Sequence, residues 1–283
     1  MKCVMQTAPP ILFDRSRLRK RATRAAASFA QHDFLWHEAA TRAEESLSFI
    51  NRRFTRVLAF GAHALTAPNC SPLIHASFAP LGPTPHLLVD EERLPFAPES
   101  FDAVLCLLNL HSVNDVPGTL AQIHRALKPD GLFMAIVLGG ESLSELRSSL
   151  AATEAARTGG ISPRVSPFMD VRDAGALLQR AGFALPVADS ELLDVSYPNL
   201  FALMEDIRGA GQSNMLQHQL QHFTPRGFFL DAAKHYADTH GDGEGRLRAT
   251  IEFITLTGWK PAASQQQPAK RGSGTRSLKD ALG

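Results

Sequence analysis

The run at residues 103–108, AVLCLL, contains no polar side chain. A strand of that composition must be buried on both faces, which a sheet covered by helices on each side provides and a half-wet antiparallel sheet does not. From residue 54 onward the chain keeps to the same logic. Short apolar runs at 56–61 (RVLAFG), 73–78, 85–89 and 132–138 are separated by Pro and Gly. An amphipathic helix expected at 116–127 ends in KPDG at 128–131, where Pro and Gly stop it and turn the chain into the next strand. The pattern predicts an α/β fold, a Rossmann-like doubly wound sheet with crossover helices, in which strands 56–61 and 103–108 are adjacent and central.

Around that sheet the chain divides into three parts. Residues 1–50 form an N-terminal helical segment, in which Leu18, Ala22, Ala25, Ala26 and Phe29 make an apolar stripe. The cluster Arg15, Arg17, Arg19, Lys20, Arg21 and Arg24 is then the solvated face of a helix, a phosphate or lipid patch, or a transit peptide. A second helix is expected at 37–49. Residues 51–260 form the main domain, with lid elements at about 140–182 and 197–240. Within the lid, Ser142 and Glu145 have capping-box spacing, and helices are expected at 171–181, 199–208 and 226–238. Strands are expected within 184–195 and at 250–259, where Phe253 and Trp259 read as core aromatics. Residues 261–283 are polar and Gly/Ser/Gln-rich and read as a flexible tail.

Charge and cysteine content exclude several classes. Of 283 residues, 29 are Lys or Arg and 28 Asp or Glu, a formal net charge of +1, so no global field draws the chain to nucleic acid. No apolar run is long enough for a transmembrane helix, although peripheral membrane contact stays open. Residues 1–10 lack the apolar core of a secretory signal. The three cysteines, Cys3, Cys70 and Cys106, lack metal-ligand spacing and fit reduced thiols in a cytosol-like compartment. His63 and His75 have no third ligand at sensible spacing, so no metal is expected.

Four segments in order, DEERLPF (90–96), SFDAV (100–104), LHSVND (110–115) and LKPDG (127–131), resemble the second half of a class I S-adenosylmethionine (SAM) dependent methyltransferase of type 11. The resemblance narrows through Phe13-Asp14-Arg15, GGESLSELR (139–147), GGISPRVSPF (159–168), YPNLFALMEDIRGAGQSN (197–214), TGWK (257–260) and Arg271-Gly272-Ser273. Together these are similar to the arginine-hydroxylase family of respiratory complex I assembly factors. The resemblance implies a seven-stranded doubly wound sheet, a SAM site, modification of a protein arginine and a complex I subunit or assembly intermediate as partner. Family-like sequence begins by Phe13, which favours a bacterial cytoplasmic protein, with the mitochondrial matrix as the alternative.

The same resemblance locates candidate residues. Phe60, Gly61, Asp90, Glu91, Leu110 and His111 stand at the cofactor positions, and Glu141, Arg147, Tyr197 and Asn214 at substrate or partner positions; it assigns no catalytic residue. His111 reads equally as a loop-capping histidine, Asn114 and Asp115 as caps of the following helix, and Glu141 with Arg147 as a surface pair. The cofactor motif is degenerate. Ala59 replaces the expected Asp, His63 and Leu65 replace two glycines, and no acid closes the second strand to receive the ribose hydroxyls. The readings that follow are a methyltransferase-fold enzyme that retains SAM, or an assembly factor that no longer binds it.

Overall fold

The computed structural model describes residues 11–79, 87–220 and 223–266. Seven strands, β1 (Val57–Phe60), β2 (Leu73–Ser77), β3 (Leu87–Leu88), β4 (Phe101–Leu107), β5 (Leu127–Leu138), β6 (Ala184–Tyr197) and β7 (Leu247–Trp259), form one sheet in the order β3-β2-β1-β4-β5-β7-β6. The strands β1 and β4 are adjacent, parallel and central, as the apolar runs require. The first five strands are parallel; β7 runs antiparallel to both β5 and β6.

Side-chain alternation gives the sheet two cores. Val57, Ala59, Ala103, Leu105, Leu107, Met134 and Ile136 face one side. They pack there with residues of α2 (Phe34–Ser48), α4 (Ser144–Thr158), α6 (Leu200–Gly209) and α7 (Arg226–His240). Leu58, Phe60, Val104, Cys106, Phe133, Ala135 and Val137 face the other, under α3 (Val116–Ala126) and α5 (Val171–Arg180). Phe253 is a core residue, whereas Trp259 is only partly buried at the end of β7. Cys106 lies inside β4, where burial pushes its thiol far up. Among the described residues no helix is long and apolar enough to cross a membrane, and no cluster of potential metal ligands occurs.

Four local expectations change. The connection from β1 to β2 carries no helix, because it is short and interrupted by Pro68 and Pro72. The KPDG turn does not precede β5 but bulges from it: pairing jumps from Phe101–Leu127 to Ala103–Leu132, with Asp130 at φ 62°. The capping box at Ser142 does not form. The Ser142 hydroxyl exchanges hydrogen bonds with the backbone of Glu252, and Glu145 accepts from the Thr250 hydroxyl (2.5 Å) and N–H (3.1 Å) instead. Finally, Asp115 caps α3 through the Gly118 N–H, but Asn114 does not. Its side-chain oxygen accepts from the N–H groups of Leu12 and Phe13, pinning the N-terminal strap.

The strap leads into α1 (Arg15–Ala25), capped by Asp14. Phe13 bridges Leu216, and Ala22 and Ala25 meet Gly211 beyond α6. This lays α1 across the carboxyl edge of the sheet. Of the tail, residues 267–283 lie outside the described residues, as do residues 1–10 with Cys3.

Candidate functional site

The carboxyl ends of β1, β2 and β4 open into a cleft of about 750 Å³, counting its mouth, whose walls include Phe60, Gly61, His63, Phe78, Glu91 and Asn109. Gly61 has φ +64°, and a Cβ there would lie 2.0 Å from the Leu107 carbonyl oxygen. Only glycine fits that approach of β1 to β4. The Asn109 amide is buried with no hydrogen bond of sound geometry on either atom.

The remaining polar groups of the cleft are already engaged by the chain itself. Arg15 donates to Asp90 (2.9 Å) and Glu91 (2.5 Å), and its guanidinium lies 3.9 Å from the Phe78 ring centroid. Burial raises the Glu91 carboxyl against the opposing pull of Arg15 and Asn109. His63, in place of a glycine, turns onto Asp33 (3.1 Å) and packs edge-on against Phe29 (5.2 Å between centroids). Burial lowers its pKa against that hydrogen bond. At the end of β2, Ser77 donates its hydroxyl to Ala79 O.

These contacts test the cofactor that the resemblance implies. Ser77 closes β2 without a carboxylate, Asp90 and Glu91 are paired with Arg15, and His63 beside Gly61 is held by Asp33.

A second cavity, about 850 Å³ with its mouth, lies beside the cleft, walled largely by residues of the segments 143–168 and 197–215. Its walls are mainly apolar, with Phe34, Leu143, Leu146 and Phe168 among them. The polar groups include Tyr197, Asp206 and His32: Tyr197 Oη donates to Asp206 Oδ2 at 2.7 Å, and His32 Nδ1 lies 2.7 Å from Asp206 Oδ1. Gln212 borders both cavities and lies 3.3 Å from His111 Nε2. Burial pushes His111 down to about 4, so this imidazole is neutral near pH 7. Arg164 also reaches the cavity, but Glu154 neutralises it through paired hydrogen bonds of 2.8 and 3.2 Å.

The candidates therefore separate. Phe60, Gly61 and Glu91 line the first cleft, and Asp90 reaches it through Arg15. Leu110 lines neither cavity; it is buried in the core under α3. His111 belongs to the second cavity, together with Tyr197 and Asn214. Asn214 is tied to the loop at 159–168, donating to Pro163 O. Arg147 lines an outer groove and donates to the carbonyls of Gly140 and Ser142, not to Glu141. The Glu141 contact here is made by its backbone N–H, which donates to Glu252. The expected surface pair is not formed, because the loop carbonyls claim the guanidinium. Sequence reasoning did not single out Asp33, His32, Asp206, Asn109 or Gln212 as site residues, and it placed Arg15 in a basic cluster and in the family-like Phe13-Asp14-Arg15 segment without a role at the cleft. The DEE triplet following the FDR segment was the available signal for Arg15.

Comparison with known proteins accords with this architecture. A family described as methyltransferase domain matches residues 44–135. Arginine-hydroxylase NDUFAF5, mitochondrial, of Danio rerio is 36% identical over 95% of this chain and 89% of that protein. The Homo sapiens protein of the same name is 38% identical over 94% and 82%. A malonyl-[acyl-carrier protein] O-methyltransferase of Xylella fastidiosa is 30% identical over 89% and 90%. Among solved structures, the YcgJ protein of Bacillus subtilis superposes with a TM-score of 0.50 at 16% identity, covering 80% of this chain and 99% of that one, a likeness of fold.

Proposed function

The chain belongs to the methyltransferase-fold family of the arginine-hydroxylase NDUFAF5 proteins, and on that premise we propose that it serves the assembly of respiratory complex I by modifying an arginine of one subunit. The observation that carries this reading is the second cavity. It lies at the carboxyl edge of the sheet, under the lid, and its walls draw on Tyr197, Asp206, Gln212 and Asn214, all within the segment 197–214 that carries the family resemblance. A protein side chain entering there would reach the junction between the two cavities at Gln212 and His111. Its partner is then a subunit or assembly intermediate. The compartment is the one where such subunits meet, the cytoplasm of a bacterium or the matrix of a mitochondrion.

The test is deletion of the gene in the source organism, followed by native electrophoresis of complex I and mass spectrometry of its subunits. The expected result is loss of mature complex I together with loss of a one-oxygen increment on an arginine. Normal complex I with unchanged arginines would end the proposal.

A second reading, an assembly factor that docks the subunit without cofactor chemistry, is favoured by Arg15 and His63 in the first cleft. Loss of complex I without any change in arginine modification would select it.

A further inference from the structure

Asp206 is the only carboxylate among the described residues lining the second cavity. Its side chain is 20% exposed and each oxygen already has one partner, Tyr197 on Oδ2 and His32 on Oδ1. A carboxylate offers about four acceptor sites, so one remains on each oxygen. The two held contacts fix the plane of the carboxylate and leave a forked acceptor, which matches a guanidinium and suits an ammonium less well. Burial and the neighbouring carboxylate both keep the Tyr197 phenol protonated, so it stays a donor.

The surroundings suit the same guest. Arg164, the cavity's fixed cation, is bound to Glu154 and therefore repels an entering guanidinium little. Phe34, Leu143 and Phe168 give apolar surface for a three-carbon arm and lower the local dielectric, which strengthens a charge-assisted pair.

From this geometry we propose that Asp206, oriented by Tyr197 and His32, is the receptor for the substrate guanidinium and sets the preference for arginine. The assignment rests on the reading of the second cavity as the entrance for a protein arginine. Asp206 is the binding residue; Tyr197 and His32 are positioning residues.

The experiment is calorimetric titration of the full chain with N-acetyl-arginine amide, and with its citrulline and lysine counterparts. Citrulline keeps the shape of the arm and removes the charge. Wild-type protein is expected to bind the arginine probe about tenfold or more tightly than either counterpart. Asp206→Asn, which can still accept from Tyr197, should lose about tenfold or more, Tyr197→Phe less, and Asp206→Glu should restore part of the preference for arginine over citrulline. Absence of binding by the arginine probe, equal binding of arginine and citrulline, or unchanged affinity in folded Asp206→Asn would overturn the assignment. The wild-type comparison stands even if a variant fails to fold. Arginine modification in the deletion strain is read separately: if it is unchanged while the probe binds through Asp206, the functional reading fails and the guanidinium site remains.

Discussion

Arg15 and Glu91 lie 2.5 Å apart, with only 13% and 5% of their side chains exposed, and this contact joins the first turn of α1 to the turn that follows β3. Through Asp90 and Phe78 the same guanidinium spans the mouth of the first cleft. The N-terminal helix is thereby a wall of the site, not an appendage.

Removing Arg15 would leave the buried Glu91 without its charged partner. Breaking such a pair from one side typically costs about 3–5 kcal/mol. Arg15→Ala should therefore lower the urea midpoint strongly, while Arg15→Lys, which keeps one charge contact but loses the flat stack on Phe78, should fall between. A loss in Arg15→Ala below about 0.5 kcal/mol, the range of neutral surface changes, would mean that α1 is not held by this contact.

SAM affinity follows from the same cleft. A missing hydrogen-bond partner for a charged or bidentate contact removes about 1.5–3 kcal/mol, on the order of ten- to a hundredfold in affinity. Wild-type protein should give little heat with SAM at micromolar concentrations. The double change Ser77→Asp with His63→Gly should tighten binding about tenfold or more, since it returns an acceptor for the ribose and opens the space beside Gly61. A low-micromolar dissociation constant for the wild type would show that Asn109 and other cleft groups have replaced the lost contacts.

Gly61 is the surviving glycine of the motif, and its geometry ties it to the fold. A methyl group there meets the Leu107 carbonyl at 2.0 Å and a left-handed φ of +64°. Gly61→Ala should destabilise the protein by about 1–3 kcal/mol in the absence of any ligand. Unchanged thermal unfolding would return Gly61 to a purely cofactor-side role.

Much of this architecture was legible from residues. Ala103 to Leu107 of β4 are apolar on both faces and lie at the centre of the sheet, because period-two burial on two sides leaves no other solution. Tyr197 and Asn214 were singled out through resemblance, and both line the second cavity. Long-range partners were not legible. Ser142 and Glu145 had local capping spacing, yet β7 supplied Glu252 and Thr250 and won both. His32 and Asp206 stand far apart in the chain and pair where the segment after α1 packs its His32 ring on Gly209 at the end of α6. No periodicity records such a meeting.

The loop at 159–168 offers a prediction in pH. Glu154 accepts from Arg164, and from the hydroxyl and N–H of Ser162, fixing the segment that contributes Arg164, Val165 and Phe168 to the second cavity. Chiefly through Arg164, its carboxyl is held down at about 2, against an ordinary value of 4.5. A lowered carboxyl contributes stability above its unfolded value and loses it as the native group is protonated. The contribution should thus be complete above pH 4.5 and decline toward pH 2. Glu154→Gln, with weaker acceptors and no charge, should cost about 1.5–3 kcal/mol at neutral pH. Asp102 is also held at about 2, so the wild type alone will not isolate the effect. The stability difference between wild type and Glu154→Gln, followed by urea unfolding, should shrink as the pH falls from 4.5 toward 2. Hydrogen exchange at neutral pH should show the variant's extra opening confined to residues 159–168. A difference independent of pH would show that Glu154 acts through packing and not through its charge.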